Sequence, residues 1–298
     1  MTGPRTTARA AVAIALLAFA ATPALARSGG EGVPRLVFPV VGEAAYEDDF
    51  GDPRPQGSHE GIDILAPRRA IAVAAEAGIV KIWIQSRAGC MLYLYGRSGT
   101  TYLYVHLNND RGPENDNLGG CKQGVAYAPR LRTGKQVEAG EPLGFVGDSG
   151  DADGAQTHLH FEVHPGGGSA SDPYRHLRRA QHLLFAVDPA TTVTLTLSGA
   201  VTQAAVGRLS VQVDDLQLFP AGGPIFKPLR PLTLAFPADA MVATGSTLAQ
   251  AGAKTSTLAG RRVVVLTQPT AATLPVALGE PGALAAARVV VSAAERRG

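Results

Sequence analysis

Short apolar runs separated by Gly, Pro, Asn and Asp dominate the chain from residue 39 to residue 188. The runs are rich in β-branched and aromatic residues, and no segment before residue 174 sustains an apolar repeat of 3.6 residues. This pattern is typical of strands joined by turns. It predicts strands over 70–75, 78–84, 91–95, 101–106, 142–146 and 158–164. A helix over 174–185 would close a mainly β, mostly antiparallel domain.

A second pattern begins after residue 189, where Thr, Val, Ala and Leu prevail. Alternation and clustering of apolar residues predict about five strands, over 193–197, 209–213, 232–236, 262–266 and 288–291. A small β-barrel or sandwich fits this pattern. The segment contains no His and no Cys, so it can hardly supply a metal site. We therefore expect a C-terminal β-rich module over 190–298 that serves binding, spacing or stability.

The first 26 residues have the three parts of a secretory signal peptide. Arg5 and Arg9 precede an apolar stretch over 10–21, and Ala24-Leu25-Ala26 supplies the cleavage pattern. The apolar stretch is shorter than the roughly 20 residues that span a bilayer. We expect an exported protein, in a periplasm, a cell wall or the medium, with no membrane span after cleavage. A linker over 27–37 would then precede the first domain, over 38–189.

Composition excludes several classes of protein. Of the 298 residues, 35 are Gly and 21 are Pro, which disfavours coiled coils and helical bundles. Lys and Arg number 27 against 25 Asp and Glu, and loss of the two signal-peptide arginines removes this small basic excess. No nucleic-acid partner is therefore expected. The only cysteines, Cys90 and Cys121, cannot form a four-thiolate zinc site, and in an oxidising compartment a disulfide is favoured over two free thiols.

Candidate metal ligands occur at two places in the chain. His158 and His160 project from one face of a predicted strand, about 6–7 Å apart. His59 and Asp63 offer a nitrogen and a carboxylate oxygen four positions apart. With a third imidazole they would hold Zn²⁺ through three protein ligands and leave a fourth position open, as catalytic zinc sites do.

The pair His59-Glu60 does not begin the H-E-x-x-H helix of metalloproteases. Gly61 interrupts any helix there, and position 63 is Asp rather than His. Glu60 is therefore not the expected general base. His158 and His106 are better candidates for that role.

The order His59-x-x-x-Asp63, then His106, then His158-x-His160 resembles the M23 peptidase family, the lysostaphin-type or LytM-like zinc endopeptidases. The resemblance covers about 38–177. It is carried further by Phe38-Pro39-Val40, Gly61-Ile62-Asp63-Ile64, Ala77-Gly78-Ile79-Val80, Tyr104-Val105-His106-Leu107, Gly140-Glu141-Pro142-Leu143-Gly144 and Val146-Gly147-Asp148-Ser149-Gly150.

The resemblance implies that His59, Asp63 and His160 bind one zinc ion. It also implies that His158 is the general base, while His106 orients the water or stabilises the oxyanion. The fold implied is an antiparallel β-sheet groove, and the substrates implied are the peptides of peptidoglycan. Two alternatives stay open, namely a non-catalytic wall-binding or activator protein on this fold and a zinc hydrolase with another substrate.

Other polar residues are interpreted more simply. His164 is expected to be exposed beyond its strand, although a contact with the site is an alternative. His176 and His182 are expected on the solvated face of the closing helix, and the acidic segment around Asp151 is expected to be an ordinary turn. The long polar segment 108–130 either lines the groove or is an ordered insertion. The Arg68-Arg69-Ala70 departure from the family pattern should not affect the ligands.

Overall fold

The computed structural model describes residues 32–55, 57–187, 191–220, 231–253, 255–271 and 284–292. The predicted signal peptide, 1–26, and part of the 27–37 linker lie outside these residues. The described chain is mainly β with antiparallel sheets, which confirms the predicted fold class. Within those ranges, no helix is long and apolar enough to cross a membrane.

The first half of the described chain contains eleven strands, and all six predicted strands are among them with adjusted ends. The strands are β1 (Val40–Val41), β2 (Pro53–Arg54), β3 (Gly57–Ser58), β4 (Ile62–Leu65), β5 (Ile71–Val73), β6 (Gly78–Gln85), β7 (Gly89–Gly96), β8 (Thr101–Leu107), β9 (Gln136–Val137), β10 (Pro142–Phe145) and β11 (His158–His164). Short 3₁₀ turns occupy Gly150–Ala152 and Pro165–Gly167.

A six-stranded antiparallel sheet forms the centre of this half, in the order β4-β11-β8-β7-β6-β9. One of its faces is apolar, because Tyr102, Tyr104 and Phe161 are fully buried there. A smaller sheet, β1-β5-β10, contributes to the same core. The hydroxyl of Tyr104 joins the two sheets by donating to the Val73 carbonyl at 2.9 Å. The opposite face of the large sheet is left available for polar residues.

The predicted helix over 174–185 is wrong beyond its first turn, since α1 covers only Tyr174–Leu177. Gln181 instead pairs with the amino-terminal segment, and its carbonyl accepts the Phe38 amide at 3.0 Å. His182 is not on a solvated helix face, because its ring stacks on Phe38 with centroids 4.3 Å apart. Pairing with a distant segment therefore overrides the local helical pattern. His176 lies within α1 and is partly buried.

The second half contains eight described strands, which include the five predicted ones. They are β12 (Thr192–Ala205), β13 (Gly207–Phe219), β14 (Leu232–Phe236), β15 (Met241–Thr244), β16 (Thr247–Gln250), β17 (Arg262–Thr267), β18 (Thr270–Ala271) and β19 (Ala286–Val291). Single 3₁₀ turns lie at Ala251–Ala253 and Thr255–Thr257.

These strands form one sheet in the order β14-β13-β12-β17-β19-β15-β16, with β18 beside β12. The sheet curls on itself, so that the Ala235 amide in β14 donates to the Leu284 carbonyl just before β19 at 2.8 Å. This curled sheet resembles the predicted barrel more than the predicted sandwich. The core of the second half is separate from that of the first half, and it includes Leu184 and Phe185, which precede the expected boundary at residue 189.

Candidate metal centre

Strand β11 presents alternate side chains to the polar face of the large sheet. Leu159 and Phe161 are fully buried in the core, so His158 and His160 point the other way. In the antiparallel pairing of β11 with β4, His160 lies directly opposite Asp63. Register alone therefore brings two residues together that are far apart in sequence.

His59 reaches this pair from the turn before β4. The His59 amide donates to the Asp52 carbonyl at 2.9 Å, which fixes the turn. Gly61 is required at its bend, because a Cβ there would lie 2.6 Å from the Phe161 carbonyl oxygen and 2.9 Å from His160 Cε1. The absence of a side chain at position 61 lets the turn pack against β11.

Three potential ligand atoms converge at this place. His59 Nε2 lies 3.1 Å from Asp63 Oδ1 and 2.9 Å from His160 Nδ1, and the last two atoms are 3.0 Å apart. Tetrahedral zinc with bonds near 2.0–2.1 Å separates its ligand atoms by roughly 3.3 Å. Two imidazole nitrogens and a carboxylate oxygen are also a donor set suited to zinc. The triad of His59, Asp63 and His160 could therefore hold a metal ion.

Hydrogen bonds on the outer side of both imidazoles leave the converging nitrogens free to bind a metal. His59 Nδ1 donates to the Asp49 carbonyl at 2.9 Å, which leaves Nε2 for a ligand bond. His160 Nε2 lies 3.0 Å from Glu162 Oε1, which leaves Nδ1. A carbonyl or carboxylate behind a metal-binding imidazole is the usual support of such ligands.

The electrostatics of the site favour a cation. Burial opposes the charge on Asp63, but its hydrogen bonds with His160 and His59 outweigh burial and hold the pKa of Asp63 well below its usual range. Burial also opposes the charge on His160, but the carboxylates of Asp63 and Glu162 raise the pKa of His160 to about 9. Burial opposes the charge on Glu162 as well, but hydrogen bonds from His160 and His164 outweigh burial and lower the pKa of Glu162 to about 2. Asp63 at the triad and Glu162 behind His160 therefore both stay ionised, and this negative charge suits a divalent ion.

His158 lies beside the triad without joining it. Its Nε2 is 3.7 Å from Asp63 Oδ1, and its Nδ1 donates to the Gln156 carbonyl at 2.8 Å. His106 faces it across the site, with ring centroids 5.1 Å apart. The structure therefore brings together all five residues that the sequence singles out, three in one cluster and two at its edge.

His106 reaches the site through an unusual backbone conformation. Strand alternation would place it with Tyr102 and Tyr104 on the core side of β8. Instead His106 adopts a φ of 60°, and the β7–β8 register shifts between Cys90 and Leu92. Non-glycine residues in this region are strained, and such strain is common at functional sites. The distortion turns the imidazole to the same face as His158.

A hydrogen bond and burial fix the protonation state of His106. Its Nδ1 donates to the Ser149 carbonyl at 2.8 Å. Burial lowers the pKa of His106 to about 4, and the bond to Ser149 opposes this only in part. At neutral pH the ring is therefore neutral, with a lone pair on Nε2.

The five residues lie along an open cleft of about 890 Å³. The floor is formed by the polar face of β7, β8 and β11, and the walls come from the turns near Arg54 and Asp151. The segment 108–130 contributes no residue to this lining. Its Asn115 and Asn117 side chains instead donate to Asp153 Oδ1, at 2.9 and 3.0 Å, behind the Asp151 wall, which favours an ordered insertion over a segment that lines the groove. The Asp151 turn is a short 3₁₀ turn, as expected, but it also lines the cleft.

The insertion is held by buried polar contacts and one covalent bond. Cys90 and Cys121 form a disulfide, which confirms that prediction. Asp110 is fully buried, accepts the Asp116 amide at 2.8 Å and pairs with Arg68. Arg68 also makes two hydrogen bonds to Asp148, at 2.7 and 2.9 Å. These contacts leave the candidate metal ligands untouched.

Sequence reasoning missed three supporting residues, Asp49, Arg54 and Glu162, and misplaced His164. His164 is the last residue of β11 and is partly buried, and its Nε2 donates to Glu162 Oε2 at 2.6 Å. The same strand parity that selects His158 and His160 could have indicated Glu162. Nothing in the sequence pattern identifies Asp49 or Arg54.

The resemblance to M23 peptidases is confirmed by comparison with known proteins. The chain is 28% identical over 153 residues to an L-Ala--D-Glu endopeptidase of Bacillus subtilis (strain 168), a match that covers 47% of this chain and 42% of that protein. The chain thus spans less than half the length of this curated relative. No family model matches the chain.

Two solved structures give similar partial matches. A putative glycyl-glycine endopeptidase LytM from Ruminococcus gnavus is 26% identical, with 48% of this chain and 59% of that chain covered and a TM-score of 0.38. A putative M23 peptidase from Pseudomonas aeruginosa is 23% identical, with 50% and 54% covered and a TM-score of 0.35.

Proposed function

We propose that this chain is an exported zinc metallo-endopeptidase that hydrolyses peptide bonds of peptidoglycan. One observation carries the proposal: His59 Nε2, Asp63 Oδ1 and His160 Nδ1 converge within 3.1 Å at the floor of an open cleft. Zinc held there would polarise a scissile carbonyl and make a water molecule more acidic. The remaining chemistry belongs to the two histidines beside the triad.

His158 is suited to act as the general base. Its Nδ1 hydrogen is committed to the Gln156 carbonyl, so the neutral ring carries its lone pair on Nε2. That nitrogen is 3.7 Å from Asp63 Oδ1 and therefore borders the triad. It can accept a proton from an attacking water and return it to the leaving amine.

His106 is better suited to orient the water than to stabilise an oxyanion. Its Nδ1 hydrogen is committed to the Ser149 carbonyl, and its low pKa keeps the ring neutral. The ring can therefore accept a hydrogen bond at Nε2 but not donate one there. Only a protonated His106 could donate to an oxyanion, and burial disfavours that form.

Several observations support the wall substrate and the exported location. The curated relative is named for cleavage of an L-Ala--D-Glu bond, and one structural relative is described as a glycyl-glycine endopeptidase. Both names denote peptide bonds. The disulfide fits an oxidising compartment, as does the signal-like pattern over 1–26. We propose that residues 38–189 form the peptidase domain and that residues 190–298 form a β-rich module that serves binding or spacing.

Digestion of purified peptidoglycan tests the proposal directly. New amino termini would be identified by mass spectrometry, with His160→Ala and His158→Ala as matched inactive variants. Release of peptides by the wild type alone, with one zinc per chain, is the expected result. Binding of walls without cleavage would favour the non-catalytic alternative. Inert walls alongside cleavage of an unrelated peptide or ester would favour a hydrolase with another substrate.

A further inference from the structure

The two oxygens of Asp63 have different partners. Oδ1 lies among the converging atoms, 3.1 Å from His59 Nε2 and 3.0 Å from His160 Nδ1. Oδ2 instead accepts a hydrogen bond from Arg54 Nη2 at 2.9 Å. The carboxylate thus directs one oxygen towards the triad and the other to an arginine.

Asp49 contacts Arg54 and both metal-ligand candidates of the first motif, His59 and Asp63. The same Arg54 nitrogen donates to Asp49 Oδ2 at 3.2 Å. The Asp49 backbone carbonyl accepts His59 Nδ1 at 2.9 Å, and its Oδ1 accepts the Asp63 amide at 3.4 Å. Asp49 therefore contacts both ligands of the first motif, and Arg54 links Asp49 to Asp63.

This arrangement has a consequence for the number of oxygens that Asp63 can offer a metal. A carboxylate binds a metal through one oxygen or through two. Because Oδ2 accepts a charge-assisted hydrogen bond from Arg54, a metal ion at Oδ2 would have to compete with the guanidinium for that oxygen. This competition favours binding through Oδ1 alone.

We propose that Arg54 is a positioning residue whose hydrogen bond keeps Oδ2 of Asp63 away from the metal position. Asp63 would then occupy one coordination position and leave others for water and substrate. The inference rests on the proposed function, because it requires a metal at the triad. Both hydrogen bonds come from a single Arg54 nitrogen. A lysine ammonium is also a single nitrogen with several donors, so Arg54→Lys should preserve the arrangement where Arg54→Met cannot.

Cobalt substitution tests this inference. The full chain and the variants Arg54→Met, Arg54→Lys and Arg97→Met would be loaded with Co²⁺, and their visible absorption compared. Four-coordinate cobalt absorbs several-fold more strongly than five- or six-coordinate cobalt. Arg97 is a matched control because it is exposed and paired with Glu138. We expect Arg54→Met to lose about half of the absorption, with Arg54→Lys and Arg97→Met unchanged.

Zinc affinity gives a second measurement. Competition with a chromophoric chelator should show that Arg54→Met binds zinc about 10- to 100-fold more weakly than the wild type, as is usual for supporting residues of a metal site. Unchanged cobalt absorption and a zinc affinity within twofold of the wild type, in a variant with a wild-type unfolding temperature, would overturn the inference. Wild-type protein that binds neither metal would overturn the proposed function itself, so the two failures are distinguishable.

Discussion

At the scale of single residues, His106 is the one described non-glycine residue lining the cleft that has a positive φ. The φ of 60° moves its imidazole from the core face of β8 to the cleft. A residue with a Cβ occupies this region at a cost of about 1–2 kcal/mol. The sheet tolerates that cost because neighbouring strands and the Ser149 carbonyl hold the residue in place.

A pair of substitutions separates the strain at His106 from its chemistry. His106→Gly and His106→Ala both remove the imidazole, but only glycine removes the Cβ. We expect both variants to lose about 100-fold or more in peptide hydrolysis. The glycine variant should be more stable than the alanine variant by about 1 kcal/mol, measured by denaturant unfolding. Equal stability of the two would contradict the strained conformation.

Metal content should distinguish ligands from the general base. His59→Ala, Asp63→Ala and His160→Ala should each lose zinc and activity together, because each removes one of the three converging atoms. His158→Ala should keep one zinc per chain and lose about 100-fold or more in turnover. Atomic absorption on dialysed protein measures the first quantity and peptide hydrolysis the second. Full zinc occupancy in all three ligand variants would refute the assignment, and loss of zinc from His158→Ala would make His158 a ligand.

At the scale of strands and turns, the site is produced by the pairing of β4 with β11. Gly61 permits this pairing because a side chain there would collide with Phe161 and His160. We expect Gly61→Ala to lose about 1–3 kcal/mol of stability and most of its zinc affinity. Gly32→Ala is the control, since a Cβ at that position meets nothing within 4 Å. Denaturant unfolding and chelator competition measure the two effects, and an unperturbed Gly61→Ala would show that the turn can move.

The disulfide ties the segment 108–130 to strand β7. Cys90 and Cys121 are 31 residues apart, and a cross-link of that span contributes about 3–4 kcal/mol by restricting the unfolded chain. Replacing both cysteines with alanine should lower unfolding stability by that amount while hydrolysis at low temperature stays near the wild-type rate. Reductant should destabilise the wild type and leave the double variant unaffected. A large loss of activity in the folded double variant would instead connect the insertion to catalysis.

Local patterns predict the strands well because their alternation is dictated by burial on one face. The same patterns fail after α1, where Gln181 pairs with a segment more than 140 positions away and the helix does not continue. Strand alternation alone would also place His106 on the core face, because its actual orientation depends on a bulge between β7 and β8. The resemblance to M23 peptidases, and not the alternation, assigned His106 to the site. Asp49 and Arg54 escaped prediction because their roles arise from contacts across a turn rather than from spacing. The types and order of the residues thus indicate the metal triad, whereas the residues that support it can be identified only from the three-dimensional structure.

At the scale of the whole molecule, two separate cores meet near residue 185. Leu184 and Phe185 are buried in the core of the second half, although they precede the boundary expected from composition. Among the described residues, none that lines the cleft comes from the second half. The second half is therefore expected to affect large substrates more than the chemistry.

Truncation tests this separation. A chain ending at residue 187, with Leu184 and Phe185 replaced by serine, should remain folded, keep its zinc and hydrolyse small soluble peptides. The same truncation without these replacements should aggregate, because two large apolar side chains lose their cover. Light scattering, zinc content and peptide hydrolysis measure the outcome. A folded, zinc-loaded truncation that cleaves no small peptide would show that the second half completes the site.

Three imidazoles of the cleft, His59, His106 and His158, donate their Nδ1 hydrogens to main-chain carbonyls, those of Asp49, Ser149 and Gln156. Each ring is thereby oriented by an atom that every amino acid possesses. Substitution of the side chain at position 156 would leave that acceptor unchanged as long as the backbone keeps its path. The side chains around these histidines could therefore be changed so that the cleft recognises new peptides, while the imidazole hydrogens stay on Nδ1.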